Sequence, residues 1–123
     1  MLPAKARLNK AEDFSLVVRT GQRAGTRHVA VHLLSTSSEE PPRAGFVVSA
    51  KVGNSVIRHR VTRRLRHQIL PMLAGLAPGT HVVVRALPAA AGATSTQLSA
   101  DLTAGIGQAS LKMARKSAAQ VSR

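Results

Sequence analysis

Residues 51–70, KVGNSVIRHRVTRRLRHQIL, are the most informative segment of the chain because they are strongly basic. They contain Lys51, five arginines and two histidines, and they contain no carboxylate to balance this charge. Gly53 and Asn54 end a preceding apolar run, and Asn is a favoured residue at the start of a helix. The pattern therefore predicts a helix that begins beside Ser55 and ends at about Leu73.

The predicted helix is amphipathic. At ~100° per residue, its apolar residues share one arc: Ile57, Val61, Leu65, Ile69 and Met72. The opposite flank is basic, with Arg60, Arg63, Arg64 and His67. Like charges three and four residues apart repel, so folding does not require this arrangement. A solvated basic face is one interpretation, but the planar arginine fork suits phosphate, which favours an RNA-binding face.

The strongly basic composition of the chain predicts that it binds a polyanionic partner. The 123-residue chain has 18 Lys and Arg against 5 Asp and Glu, a formal net charge of +13, and no cysteine. Such a balance predicts binding to nucleic acid, or less well to an acidic membrane surface or protein. The length predicts a single domain, residues 1–123. No apolar run reaches the ~20 residues of a membrane helix, and the first residues lack the apolar centre of a signal peptide, so the cytoplasm is the expected location.

The remaining segments alternate between helical and strand-like patterns. An N-terminal helix is predicted with Asn9 as its cap, and GQRAGTR after it is predicted to be a turn. The predicted helices are 9–20, 55–73 and 97–116; the predicted strands are 28–35, 44–52 and 81–87; residues 117–123 are a predicted flexible tail. The order α-β-β-α-β-α indicates an α+β fold, a small sandwich in which the first two strands pair.

The sequence does not support a protein-based catalytic or metal site. The acidic residues are Glu12, Asp13, Glu39, Glu40 and Asp101, and their spacing is not that of a metal-ligand set. The histidines are scattered as well, at 28, 32, 59, 67 and 81. No glycine-rich phosphate loop or glycine-flanked serine nucleophile is present. The sequence therefore predicts no catalytic and no metal-ligating residue.

The segments RLNKAEDF, RAGFVVSAKVGN, the basic motif KVGNSVIRHRVTRRLR and VVVRALP, in this order, resemble the bacterial ribonuclease P protein subunit family. The resemblance implies a ribosomal protein S5 domain 2-like fold with a left-handed crossover between the second and third predicted strands. It implies a ribonucleoprotein endonuclease that removes the 5′ leader of precursor tRNA. Catalysis would then belong to the RNA subunit, with Mg²⁺ bound mainly by RNA and no organic cofactor. The implied partners are the RNA subunit and precursor tRNA, and no membrane is involved. The protein is expected to be monomeric, with one copy bound to each RNA subunit.

The resemblance also assigns residues. Gly53 and Asn54 match the turn that launches the basic helix. The implied contacts with the RNA subunit are Arg58, His59, Arg60, Arg63, Arg64, Arg66 and His67. The implied leader-binding cleft contains Phe14, Val18, His32, Lys51 and Arg85. His59 stands where the family usually has Asn, and Val18 stands where it often has a second aromatic residue.

Two other classes of function remain open at this point. A stand-alone structural RNA-binding protein of the ribosomal type would share the charge and the sandwich. A metal-dependent nuclease would require activity without RNA. For Phe14, an alternative to leader binding is a purely structural role, in which its ring anchors the first helix on the sheet.

Overall fold

The computed structural model describes the backbone of residues 2–121 and the side chains of residues 2–118. The helices are α1 (Ala11–Thr20), α2 (Ser55–Leu73) and α3 (Ser95–Val121). The strands are β1 (Gln22–Gly25), β2 (Val29–Ser35), β3 (Arg43–Val47) and β4 (Thr80–Ala86). Two short 3₁₀ turns, Ala4–Ala6 and Pro88–Gly92, precede α1 and follow β4. None of the helices within residues 2–121 is long and apolar enough to cross a membrane.

The four strands form one mixed sheet in the order β1-β2-β4-β3. β4 pairs antiparallel with β2 and parallel with β3, so it separates the two strands that the sequence predicted to be partners. That pairing prediction is wrong. The buried run Val82, Val83 and Val84 explains the central position of β4, because a strand covered on both faces is continuously apolar.

The first strand, β1, was not predicted. It occupies Gln22–Gly25, inside the segment GQRAGTR that was predicted to be a turn. It has no β-branched residue, and its strand conformation comes from antiparallel pairing with β2, where Gln22 lies opposite Leu33. β3 is also shorter than predicted, because its pairing with β4 ends at Val47 and the chain then enters a turn at residues 50–52. The observed order of helices and strands is therefore α-β-β-β-α-β-α.

Two of the helices, α1 and α3, differ from the predictions at their ends. α1 begins at Ala11 with Lys10 in the cap position, and no side chain caps it, so the prediction of Asn9 as the cap is wrong. α3 begins at Ser95 and continues to Val121, into the segment predicted to be a tail. The predicted bounds of α2 are confirmed, as expected for a helix with a strong local start signal.

The sheet separates two apolar clusters of unequal size. Successive strand residues point to opposite faces, so Val82 and Val84 face one side and Val83 the other. The larger cluster lies under α2 and α3, and its buried residues include Val61, Leu65, Ile69, Leu98 and Leu102. The smaller cluster lies under α1 and contains Leu8, Val17 and Val83, with Phe14 packed against it. The face under α1 is thus only thinly covered.

Asp101 of α3 fastens that helix to the turn between β1 and β2. Its Oδ2 accepts hydrogen bonds from the backbone N–H of His28 (3.0 Å) and from Thr26 Oγ1 (3.0 Å), and it lies 2.7 Å from His28 Nδ1. Partial burial acts to raise the pKa of Asp101, but the hydrogen bonds from His28 and Thr26 outweigh it and hold the pKa below its usual value. The carboxylate of Asp101 therefore has a structural role.

Candidate nucleic-acid interface

The turn before α2 fixes where the basic helix begins. Asn54 Oδ1 accepts a hydrogen bond from the backbone N–H of Ile57 at 3.0 Å, which satisfies a donor of the first helical turn. Gly53 is needed for space, since a Cβ built on it would lie 2.9 Å from Ile57 Cβ. These contacts fix the start of the helix and hence which of its side chains face outward.

α2 buries its apolar stripe and turns its basic side chains outward. Val61, Leu65, Ile69 and Leu73 are buried, with Ile57 and Met72 half-buried. His59, Arg63, Arg66 and His67 are exposed, whereas Arg58, Arg60 and Arg64 are half-buried. We call the four exposed residues the α2 basic face. Among residues 2–118 the ion pairs are His28–Asp101 and Arg43–Glu40, so within that range no α2 side chain is paired with a carboxylate.

Two of the α2 arginines bind the protein's own backbone. Arg60 Nη2 donates to the carbonyl of Ala91 at 3.0 Å, and Arg64 Nη1 donates to the carbonyl of Ala93 at 2.7 Å. These two carbonyls belong to the connection between β4 and α3, whose Ala90 and Ala93 side chains are buried. Arg60 and Arg64 therefore hold this connection against α2, in addition to any contact with RNA.

A cleft lies between α1 and the sheet, with Phe14 at its centre. The ring of Phe14 lies directly over Gly45 of β3, where a Cβ would come within 2.2 Å of Phe14 Cζ. A strand glycine with no side chain is what allows so close an approach. Phe14 is half-buried, and it lines two pockets.

The outer pocket, about 380 Å³, is lined by Phe14, Ser15, Val18, Arg19 and Arg85. The inner pocket, about 110 Å³, joins the cleft to α2, and its lining includes Phe14, Arg7, Thr62 and Arg66. Three predicted cleft residues, Phe14, Val18 and Arg85, thus come together. Arg19 was missed, although its position on the same flank of α1 as Ser15 and Val18 could have indicated it. Arg7 and Arg66 are brought there by tertiary packing, for which the sequence gives no signal.

The two other predicted cleft residues line neither pocket. Lys51 is exposed on the turn between β3 and α2. His32 is buried within β2, on the sheet face that α1 covers, with 5% of its surface exposed. Its Nδ1 is buried without a hydrogen-bond partner among the described residues. Burial, and then the charges of Arg23 and Arg85, lower the pKa of His32, which keeps the imidazole neutral near pH 7.

His32 should make the fold sensitive to mild acid. Because its pKa is lowered in the folded state, the unfolded chain binds a proton first as pH falls below about 6.5. Stability contributed by the neutral imidazole is therefore present above pH 6.5 and is lost as pH falls toward the folded pKa, by at most ~1.4 kcal/mol per pH unit. We expect His32→Leu to flatten the decline in the free energy of unfolding between pH 7 and pH 5, measured by urea denaturation. Parallel curves for the two proteins would contradict this assignment.

Comparison with known proteins adds a family context to this geometry. The family model described as Ribonuclease P matches residues 2–110. The chain is 49% identical over 114 residues to the ribonuclease P protein component of Streptomyces griseus, covering 86% of this chain and 93% of that protein. It is 44% identical over 110 residues to the corresponding protein of a Mycobacterium species (strain KMS), with 89% and 93% covered. The fold is similar to that of the Staphylococcus aureus RNase P protein at a TM-score of 0.76 and 24% identity, with 85% of this chain and 94% of that chain covered.

Proposed function

The chain belongs to the ribonuclease P protein family, and we propose that its α2 basic face and its Phe14 cleft bind the two RNAs of that enzyme. Family membership makes the chain the protein subunit of a ribonucleoprotein endoribonuclease that matures the 5′ end of tRNA. The stand-alone ribosomal-type alternative is not favoured. What remains to be assigned is which surface meets which RNA.

The α2 basic face is assigned to the catalytic RNA subunit. Arg63 and Arg66 are exposed, belong to a rigid helix fixed at its start by Asn54, and have no carboxylate partner among the described residues. A regular array of guanidinium groups on a helix suits the phosphates of a structured RNA, which are fixed in space. His59 and His67 extend the same surface and can donate hydrogen bonds to it.

The cleft under α1 is assigned to the 5′ leader of precursor tRNA. A single-stranded leader offers unpaired bases and phosphates, and the outer pocket supplies a half-buried aromatic ring with Arg19 and Arg85 beside it. Stacking and charge can hold such a strand without reading much sequence. Val18 gives apolar contact but no second ring, so within the outer pocket aromatic stacking is limited to Phe14.

One observation carries the proposal: the two surfaces are contiguous. Thr62 and Arg66 of α2 line the inner pocket beside Phe14, and they also line a surface groove that contains the whole α2 basic face. A protein that held the RNA subunit on one surface and the leader on the other would therefore place them side by side. This proximity is what a subunit that presents precursor tRNA to a catalytic RNA requires.

We assign no metal-binding role to the protein. The described residues contain no group of three or more His, Asp or Glu side chains placed to hold an ion. The carboxylate of Asp101 is occupied by His28 and Thr26. We therefore propose that Mg²⁺ is held by the RNA subunit and substrate. From the family membership we further propose that one protein copy serves one RNA subunit and that the enzyme works in the cytoplasm.

A reconstitution experiment tests this function. We expect purified protein to leave precursor tRNA uncut at all Mg²⁺ concentrations, because it lacks carboxylates that could hold a metal pair. Adding the RNA subunit at low Mg²⁺ should restore cleavage at the 5′ end of the mature tRNA, and the protein should accelerate that cleavage over RNA alone. Product formation on a denaturing gel is the measurement.

The possible outcomes separate the three functional classes. Cleavage that survives ribonuclease treatment of the protein preparation would identify a nuclease in its own right. Binding to the RNA subunit without any effect on cleavage would identify a structural RNA-binding protein.

A further inference from the structure

The last part of α3 is a basic extension whose described residues line neither pocket of the Phe14 cleft. The family match ends at residue 110, but α3 continues to Val121. Lys112, Arg115 and Lys116 are exposed on this extension, and none of the three forms an ion pair within residues 2–118. Met113 is half-buried against the main core, so the helix stays attached to the domain beyond residue 110.

The extension is fixed against the β1 edge of the sheet. Lys112 Nζ donates a hydrogen bond to the backbone carbonyl of Arg23 in β1. Four residues further on, Lys116 lines a pocket of about 210 Å³ together with Thr20, Gly21 and Gln22, where α1 ends and β1 begins. These contacts place two lysines one helical turn apart along the same edge.

A row of arginines connects this edge to the cleft. Arg23 of β1 lies directly opposite His32 of β2, and its guanidinium lies close over Gly25 of the same strand. His32 is opposite Val83 of β4, and Arg85 is two residues further along β4 on the same face. Arg85 and Arg19 then line the outer pocket beside Phe14. The distance from β4 to β1 is two strand spacings, about 10 Å.

We infer that the α3 extension and Arg23 form a second binding segment for single-stranded RNA, which holds leader nucleotides beyond those seated in the Phe14 cleft. This inference rests on the proposed function of the cleft. Flexible, unpaired RNA can follow a row of cations around the edge of a sheet, whereas a rigid duplex cannot bend into the cleft. The alternative is that the extension is a solvated helix whose charges act only on solubility.

The test compares two precursor tRNAs with a double variant of the holoenzyme. One precursor carries a leader cut back to the nucleotides that the cleft can hold, and the other carries a leader several times longer. Arg115→Gln/Lys116→Gln keeps helix propensity and leaves the hydrogen bond of Lys112 intact. We expect roughly fivefold weaker binding of the long-leader precursor by the variant, with a log K against log salt slope lower in magnitude by up to about 1.4 for two phosphates on a single strand.

Lys5→Gln/Lys10→Gln is the charge-matched control. Both lysines are exposed, and the turn containing Lys5 packs beside β3, at the opposite edge of the sheet from β1. The control and wild type should bind both precursors alike, and the variant should bind the short-leader precursor normally. Equal weakening for both leaders, or for neither, would overturn the inference. If wild type gave the holoenzyme no advantage for precursor over mature tRNA, the proposed cleft function itself would fail.

Discussion

Replacing Arg63 and Arg66 together with alanine should weaken binding of the RNA subunit about a hundredfold. Both side chains are exposed and unpaired with any carboxylate among the described residues, so each is available for a charge-assisted hydrogen bond worth about 1.5 kcal/mol or more. The slope of log K against log salt should fall in magnitude by about 0.7–0.9 for each phosphate that the variant no longer neutralises. Filter binding of the labelled RNA subunit over a range of salt concentrations gives both quantities.

Arg60→Ala and Arg64→Ala, on the same helix, provide the comparison for stability. Each removes a hydrogen bond to a carbonyl of the connection between β4 and α3, so each should lower the free energy of unfolding by about 1–2 kcal/mol. Arg63→Ala/Arg66→Ala should leave that free energy nearly unchanged, because both side chains are exposed and neither forms an ion pair within residues 2–118. An unchanged salt slope in the Arg63/Arg66 variant would show that the α2 basic face is merely solvated.

The contrast between these arginines shows what a helical wheel can and cannot predict. The repeat of Val61, Leu65 and Ile69 is local, and it correctly identified the buried stripe of α2. The same wheel placed Arg60 and Arg64 on the flank with Arg63. Arg60 and Arg64 differ from Arg63 because they bind the carbonyls of a connection that lies about 30 residues further along the chain. No local signal carries that information.

The sheet shows the same division between local and distant causes. Three of the four strands were predicted, because β2 and β4 are rich in valine and β3 ends in Phe46 and Val47, although their ends differ from the prediction. Their pairing was predicted wrongly, because chain neighbours are not always sheet neighbours. β1 has only its hairpin pairing with β2 to make it a strand. The resemblance to a family supplied the overall fold, which periodicity alone could not.

The cleft could be predicted only in part for a related reason. Phe14, Val18 and Arg85 line it, but Arg7 comes from the segment before α1, and Arg66 comes from α2, between β3 and β4. His32 was predicted as a cleft residue, and the structure places it in the sheet beneath α1 with little exposed surface. A strand position indicates which face a side chain uses, but not whether a helix covers it.

Phe14→Ala should have two separate effects, because its ring both packs against the α1 cluster and lines the cleft. Loss of packing should lower the free energy of unfolding by about 2–3 kcal/mol, below the ~3–5 kcal/mol of a fully buried phenylalanine. Loss of stacking, worth about 1 kcal/mol at the low end of its range, should weaken holoenzyme binding of precursor tRNA about fivefold. Binding of mature tRNA, which has no leader, should be unchanged. Thermal melting and the two tRNA affinities are the measurements.

Val17→Ala separates these two effects, because Val17 is fully buried in the same cluster and lines neither of the cleft pockets. It should destabilise α1 while leaving the preference for precursor over mature tRNA intact. Gly45→Ala should instead displace the aromatic ring without removing it, because the new Cβ would collide with Phe14. The preference for precursor over mature tRNA should therefore fall although Phe14 is still present. If Phe14→Ala and Val17→Ala reduced both tRNA affinities equally, Phe14 would be a packing residue only, and leader binding would have to rest on Arg19 and Arg85.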